Sequence, residues 1–216
     1  MAGIVGIVGA GAVGSKLARQ LVVADPDLRV LLSDEDDERL QLVLGTLDSR
    51  AEAADADSVV SDADVVVVAA ACGSHPALIR AAVDNGVAAV STSDRPDDVE
   101  RILELGPLAL DRRTTVLAGV GFSPGLSCVL AALVAERFDQ VDEIHVARAG
   151  TGGPACARQH HRALKGSARD WRDGEWIRRP GGSGRELVWF PDPVGGADCY
   201  RAALPDSRLL HPRFPD

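Results

Sequence analysis

The sequence is poor in lysine and tyrosine, two of the side chains that serve enzymes as general acids or bases. Lys16 and Lys165 are its only lysines, and Tyr200 is its only tyrosine. Nearly all of the remaining positive charge belongs to arginine, whose guanidinium keeps its proton in proteins. A mechanism that needs a lysine or a tyrosine therefore has very few candidates in this chain.

An excess of positive charge and a long apolar run are both missing. The formal net charge is −9, so the surface repels polyphosphate, and we expect neither nucleic acid nor an anionic membrane as a partner. No stretch approaches the roughly 20 apolar residues of a membrane-spanning helix. The N-terminus enters a strand pattern at Gly3 without the features of a signal peptide. We expect a cytoplasmic protein that binds a small molecule.

Closely spaced metal ligands are also missing. The histidines His160 and His161 are adjacent, and neighbouring residues point in different directions from a helix or strand, so we expect no metal site. The four cysteines are scattered and predict free thiols rather than a disulfide framework: Cys72, Cys128, Cys156 and Cys199.

Short apolar runs alternate with helical patterns through the first 141 residues. Strand patterns cover residues 3–8, 28–33, 65–71, 87–91 and 115–118. Helical patterns cover residues 13–23, 36–44, 76–85, 97–110 and 126–138, with a break or kink at Gly106-Pro107. Strands that are apolar throughout and separated by helices predict a doubly wound parallel sheet covered on both faces, an α/β fold. The segment 45–64 should contain a further strand or helix, but its Ala/Asp-rich pattern does not distinguish between the two.

The pattern changes near residue 142. Residues 143–148 alternate like a strand, the glycine-rich segments 150–154 and 181–184 indicate turns, and all three tryptophans lie in this part. We expect a domain over residues 1–141 and a smaller β-rich region over residues 142–216. About 70 residues give a thin core, so we expect the second region to pack on the first or to join copies in a homo-oligomer.

Residues 9–14 read GAGAVG, a G-x-G-x-x-G pattern that directly follows a strand and opens a helix. Gly9 permits the tight turn, Gly11 lets a pyrophosphate approach the backbone, and Gly14 lets the helix pack on the strand. With Ala10, Ala12 and Val13 these residues predict a dinucleotide site at a helix N-terminus, in a Rossmann fold. The alternative is a glycine-rich turn without a ligand.

Asp34 ends the second strand pattern 20 residues after Gly14, where a carboxylate binds the ribose hydroxyls of a dinucleotide. It lies in an acidic run, residues 34–37, that would repel a 2′-phosphate and therefore favours NAD as the cofactor. Arg39 is within reach of the same region and keeps NADP as an alternative. The rest of the acidic run also suits the first turn of a helix.

Two further segments follow apolar strands at the edge where doubly wound sheets bind ligands. Ala70, Ala71 and Cys72 form a small-residue loop in which the ribose and nicotinamide would lie close; the alternative is a plain tight turn. Ser93 and Asp94 end the next strand and would face the cleft, although Asp94 also suits an N-cap for the helix after Pro96. His75 is interpreted as a helix-start residue, with acid–base catalysis as the alternative.

Residues 119–127, which read GVGFSPGLS, resemble the G-x-G-F-x-P-G-L motif of the saccharopine dehydrogenase family. The segment 171–195 is similar to the start of that family's second domain, so the resemblance covers nearly the whole chain. The turn at Pro124-Gly125 would point a helix N-terminus at the cleft as a second site for negative charge. A purely structural strand-to-helix turn is the alternative.

The resemblance implies an NAD(P)-dependent oxidoreductase that oxidises a C–N bond, or reduces an imine, in a small amino-acid-derived substrate. It places Asp94 in a substrate-side segment, where Arg95-Pro96 replaces the aromatic residue expected after it. Lys165 is the candidate proton donor, with a solvated surface lysine as the alternative, and Arg148, Arg158 and Arg201 are candidates to bind a substrate carboxylate. The resemblance also implies a second domain that is longer than the one seen in this sequence. Because an incomplete substrate domain could bind the dinucleotide without catalysis, a non-catalytic dinucleotide-binding or sensing protein is the alternative function.

Overall fold

A six-stranded parallel sheet organises the first part of the chain in the computed structural model, which describes residues 3–70, 73–150 and 152–215. Its strands are β1 (Ile4–Val8), β2 (Arg29–Ser33), β3 (Ala51–Ala53), β4 (Val65–Val68), β5 (Ala88–Ser91) and β6 (Val116–Leu117). They run in the order β3-β2-β1-β4-β5-β6, and every neighbouring pair is parallel. This order confirms the doubly wound Rossmann fold, whose ligand crevice lies beyond the carboxyl ends of β1 and β4.

Between these strands the described residues form six helices: α1 (Ala12–Ala24), α2 (Asp37–Leu44), α3 (Ala56–Asp62), α4 (His75–Asp84), α5 (Pro96–Leu103) and α6 (Gly106–Asp111). The two faces of the sheet carry separate buried clusters, because successive strand residues point to opposite faces. Ile7 packs in the cluster of Val30 and Leu32, whereas its neighbour Val8 packs in the cluster of Val66. Layers of side chains therefore cover both faces, as the uniformly apolar strands predict.

The chain divides into two compact units. Unit 1 comprises residues 1–93 and 97–120, and unit 2 comprises residues 94–96 and 121–216. The spatial division therefore falls earlier in the chain than the change in composition near residue 142, and it assigns the short segment Asp94–Pro96 to unit 2.

The described residues of unit 2 form three helices and two hairpins: α7 (Leu126–Ala135), α8 (Pro154–Lys165), β7 (Ser167–Arg172), β8 (Glu175–Pro180), β9 (Glu186–Phe190), β10 (Gly195–Cys199) and α9 (Asp206–Leu210). Strands β7 and β8 pair antiparallel, as do β9 and β10. Asp173 and Gly174 join β7 to β8 with φ angles of 53° and 79°, and this left-handed backbone suits a two-residue hairpin turn. These hairpins confirm the expected β-rich character.

The structure corrects one expectation about unit 2, adds a helix there that the sequence did not indicate, and resolves one ambiguity in unit 1. Residues 143–148 are not a strand: exposed and half-buried side chains do alternate there, but the segment has no strand pairing in the described part of the chain. Helix α8 was not expected at all. The ambiguous segment 45–64 forms β3 and α3.

Several predicted boundaries also move. The break at Gly106-Pro107 separates α5 from α6 as expected. Strand β4 ends at Val68 and helix α7 ends at Ala135, and both ends come earlier in the chain than the ends of the apolar patterns that predicted these elements. Among the described residues, no helix is both long enough and apolar enough to cross a membrane.

Candidate functional site

Two glycines of the first strand-to-helix turn are required by the packing of the chain itself. Gly9 has φ 107° and donates its N–H to Ser33 O at 2.7 Å. A Cβ on Gly9 would stand 2.6 Å from Ala69 O, and a Cβ on Gly14 would stand 1.8 Å from Gly9 O. These contacts are too short for any side chain, so both glycines are explained without a ligand.

Gly11 differs from its neighbours, because a Cβ built on it would meet no atom of the described residues within 4 Å. It is the N-cap of α1 and provides no side-chain hydrogen bond to the helix. Ala12 and Val13 follow it and are exposed. The first turn of α1 therefore presents backbone N–H groups to open space, an arrangement that favours an anion.

Asp34 stands at the end of β2 and holds the glycine turn in place. Its Oδ2 accepts a hydrogen bond of 2.6 Å from the N–H of Ala10. Its Oδ1 accepts from the N–H of Asp36 at 2.9 Å and from Arg39 Nη2 at 2.9 Å. Burial opposes ionisation, but these hydrogen bonds outweigh it and lower the pKa of Asp34. The structure thus brings the turn and Asp34 together as the spacing predicts.

The loop after β4 is tied to β5 through His75. Its Nε2 lies 3.1 Å from Ala70 O and its Nδ1 lies 2.9 Å from Ser91 Oγ. Since a carbonyl oxygen can only accept, we assign the proton to Nε2 and a donating hydroxyl to Ser91. His75 is 1% exposed and begins α4, so it is a buried helix-start residue. Ala71 and Cys72, predicted in the same loop, lie outside the described residues.

Asp98 provides a second tie between the same two strand ends, and the sequence did not point to it. Its Oδ2 accepts from the N–H of Gly73 at 2.8 Å and from Ser93 Oγ at 2.7 Å. Ser93 is 2% exposed and Asp98 is 3% exposed. The Ser93 hydroxyl is therefore engaged by the protein, and its contact with a cofactor stays a prediction.

Asp94 belongs to unit 2 and lies beside Arg148. Asp94 Oδ2 and Arg148 Nη1 are 3.7 Å apart, and the two side chains are 21% and 17% exposed, respectively. Arg148 Nη1 also donates to Ser123 O at 2.9 Å. Among the three arginines that the sequence offered as carboxylate ligands, Arg148 is thus the one placed next to Asp94.

A buried carboxylate, Asp206 of α9, anchors the motif at residues 119–127. It accepts hydrogen bonds from Ser123 Oγ at 3.1 and 3.2 Å and from Ser127 Oγ, and Cys128 Sγ approaches it at 3.8 Å. Asp206 is 3% exposed. The start of α7, where the sequence suggested a second site for negative charge, thus lies next to a carboxylate of the chain itself. A partner 83 residues away leaves no local pattern that could reveal it.

Lys165, the predicted proton donor, lies in the last turn of α8 and is exposed. Asp94, the other predicted catalytic residue, is mostly enclosed. The surroundings of Lys165 are those of a solvated surface lysine, and its role stays a prediction.

Comparison with known proteins places this geometry among oxidoreductases. Residues 4–95 match the model of a family described as "NADP oxidoreductase coenzyme F420-dependent". The chain is 28% identical over 158 residues to the myo-inositol dehydrogenase Hyg17 of Streptomyces leeuwenhoekii. The aligned region covers 71% of this chain and 48% of that protein. The family model matches less than half of the chain.

A solved structure matches nearly the whole chain. The apo saccharopine dehydrogenase (L-Glu forming) of Saccharomyces cerevisiae matches with a TM-score of 0.66 and 20% identity, over 99% of this chain and 52% of that one. This chain therefore has the fold of an NAD(P)-dependent oxidoreductase and spans about half the length of these relatives.

Proposed function

We propose that the chain is an NAD(P)-dependent oxidoreductase similar to saccharopine dehydrogenases. Its reaction is the oxidation of a C–N bond, or in reverse the reduction of an imine, in a small amino-acid-derived substrate. NAD is the favoured cofactor, with NADP as the alternative. The similarity of fold to a saccharopine dehydrogenase and the motif at residues 119–127 support this class of reaction.

The observation that carries the proposal is the open space at Gly11. Gly9 and Gly14 are explained by the packing of the protein, whereas a Cβ on Gly11 would strike no neighbour in the part of the chain that the structure describes. A side chain at Gly11 would instead fill the space in front of the exposed first turn of α1. A glycine there serves the close approach of a pyrophosphate to the backbone.

Asp34 fits the ribose side of the same site. Its Oδ1 is used by Asp36 and Arg39, whereas Oδ2 has the N–H of Ala10 as its one partner among the described residues. A carboxylate oxygen has two lone pairs, so Oδ2 can accept one further hydrogen bond from a ribose hydroxyl. The lowered pKa keeps Asp34 ionised at neutral pH, as that contact requires.

The chain's own residues then have distinct tasks in the reaction. When bound, the nicotinamide cofactor supplies the hydride acceptor or donor. The backbone of residues 9–14 is proposed to hold the pyrophosphate, and Ala70 and Ser93 to lie on the nicotinamide side. Ala71 and Cys72, which the sequence assigns to the same loop, lie outside the described residues. Asp94 contacts the substrate, and Lys165 is assigned the proton transfer that accompanies the change at nitrogen.

Titration of the purified chain with NADH, and separately with NADPH, followed by cofactor fluorescence, tests the proposal. We expect saturable binding that Gly11→Val abolishes while the far-ultraviolet circular dichroism stays unchanged, because the added side chain enters open space. Gly106→Val is a matched control: a Cβ there also meets no described residue within 4 Å, so NADH binding should persist.

Two results would contradict parts of the proposal. Failure of the folded chain to bind either nucleotide would remove the cofactor assignment. Binding without turnover of any amino acid or 2-oxo acid, assayed at 340 nm with both cofactors, would instead favour a non-catalytic dinucleotide-binding protein.

A further inference from the structure

Arg148 is held in a fixed position by the motif at residues 119–127. Its Nη1 donates to Ser123 O, and the hydroxyl of Ser123 is in turn bound by the buried carboxylate of Asp206. Ser123 is 4% exposed and Asp206 is 3% exposed. An arginine supported in this way loses little further side-chain entropy when it binds a ligand.

The guanidinium of Arg148 has donor capacity left after these contacts. It carries five N–H donors, and within the described residues it makes one hydrogen bond, to Ser123 O. Its distance of 3.7 Å from Asp94 Oδ2 is an ion-pair contact but exceeds hydrogen-bond length. Its side chain is 17% exposed, so the remaining donors are partly screened from water without being closed off.

The other arginines considered from the sequence lack this placement. Arg201 is 43% exposed at its side chain and pairs with Asp170 at 3.8 Å. Arg158 is exposed on α8. An exposed guanidinium gives little binding energy to a carboxylate, because water competes for both charges.

We propose that Arg148 and Asp94 together form a binding site for the ammonium and carboxylate groups of an α-amino acid. The planar fork of Arg148 binds the carboxylate in a bidentate manner, and the carboxylate of Asp94 accepts from the ammonium group. An α-amino acid carries its two charges side by side, as this pair of side chains does. The inference rests on the proposed function and assigns its substrate-recognition groups.

An ordinary structural ion pair is the competing explanation for the same geometry. Partly buried ion pairs contribute little net stability, since the cost of desolvation offsets their attraction. A structural pair would leave ligand binding unchanged when it is removed, whereas a recognition pair would not. Ligand binding by Arg148 and Asp94 variants separates the two explanations.

The experiment uses ligand-detected NMR on the full chain, with and without saturating NADH. The probes are L-alanine, L-glutamate and L-lysine, each compared with its α-amide, which lacks the carboxylate charge. We expect at least one acid to bind about tenfold more tightly than its amide, in line with a charge-assisted hydrogen bond. Arg148→Gln should remove this difference between acid and amide, and Arg148→Lys, which keeps the charge without the fork, should restore part of it.

Asp94→Asn tests the ammonium side of the pair. We expect it to weaken the amino acids while sparing the corresponding carboxylic acids without an amino group, propionate and glutarate. Arg162→Gln, an exposed arginine of α8, is the control and should leave every affinity unchanged. Thermal unfolding monitored by circular dichroism shows whether each variant is folded, and Arg148→Lys is the alternative if Arg148→Gln is not.

The outcomes distinguish this inference from the proposed function. If NADH binds but acids and amides bind equally, or neither binds, the amino-acid site is overturned and the cofactor assignment stands. If an acid binds through Arg148 and Asp94 but neither NADH nor NADPH binds, the cofactor assignment fails and the amino-acid site stands. If the Arg148→Gln variant still binds the acid more tightly than its amide, Arg148 does not bind the carboxylate of the ligand.

Discussion

The N–H of Ala10 donates a hydrogen bond of 2.6 Å to Asp34 Oδ2, although 24 residues separate them. This bond joins the turn after β1 to the end of β2. Besides the ribose contact that we propose for it, Asp34 therefore fixes the backbone of the turn that is proposed to hold the pyrophosphate. Substitution of this residue should affect both stability and nucleotide binding.

We expect Asp34→Asn to lower the free energy of unfolding by about 2 kcal/mol at neutral pH and to weaken NADH binding about tenfold, as loss of a charged hydrogen-bond acceptor implies. The hydrogen bonds lower the folded-state pKa of Asp34 despite its burial. Its stabilisation is therefore complete above the unfolded carboxyl pKa of about 3.9, and it is lost as the pH falls through the lowered folded value.

Urea unfolding of the wild type and Asp34→Asn at a series of pH values tests this linkage. The difference in unfolding free energy should be constant near neutrality and should shrink in strong acid. Asp36→Asn is the control, since this neighbouring carboxyl is exposed. A difference that stays the same into strong acid would mean that the charge of Asp34 contributes nothing.

Arg39 is expected to set how well the site tolerates a 2′-phosphate. Its guanidinium contacts Asp34 at 2.9 Å and Asp36 at 3.2 Å, and its side chain is 47% exposed. Arg39→Ala leaves these carboxylates without that cation, so NADPH binding should weaken about tenfold more than NADH binding. Parallel fluorescence titrations measure the ratio. Equal losses for the two nucleotides would show that Arg39 only supports the loop.

The sequence predicted the parts of the site that depend on local spacing. The glycine turn and Asp34 follow a strand–turn–helix–strand pattern that is readable along the chain, and the uniformly apolar strands implied a sheet covered on both faces. Two buried aspartates, one in each unit, were missed for a physical reason. Asp98 of unit 1 accepts from the N–H of Gly73, 25 residues away, and Asp206 of unit 2 accepts from Ser123, 83 residues away. A lone aspartate in a helix carries no mark of such a contact.

Unit 2 shows a further limit of pattern analysis. Residues 143–148 alternate in exposure like a strand, yet a strand also requires a neighbour with which to exchange backbone hydrogen bonds. A single sequence does not indicate whether such a neighbour exists. The Asp173-Gly174 turn carries a strong local hairpin signal, and β7 and β8 pair around it.

The contact between His75 and Ser91 should contribute to the stability of unit 1. His75→Ala leaves the Ser91 hydroxyl without its acceptor and opens a cavity at a site that is 1% exposed. We expect a loss of about 3 kcal/mol in the free energy of unfolding. Urea unfolding of His75→Ala, Ser91→Ala and the double variant should show a coupling of about 1 kcal/mol. Strictly additive losses would indicate that the two side chains do not depend on each other.

The thiol of Cys128 should react slowly with alkylating reagents, although it is partly accessible to solvent. Burial is the largest cause that raises its pKa, and the nearby carboxylate of Asp206 raises it further. Because the thiolate is the reactive form, alkylation of Cys128 by iodoacetamide should be slower than that of exposed Cys156, and its rate should increase only at a pH above that needed by free cysteine. Peptide mass spectrometry over time measures both rates in one sample.

Asp206→Asn isolates the contribution of the charge, since the amide keeps an acceptor for Ser123 and Ser127. Removing the negative charge favours the thiolate, so Cys128 should react faster at a given pH while the rate at Cys156 stays the same. A faster rate at both cysteines would indicate loosening of unit 2 rather than an electrostatic effect. An unchanged rate at Cys128 would show that burial alone sets its reactivity and that the carboxylate 3.8 Å away has no measurable influence.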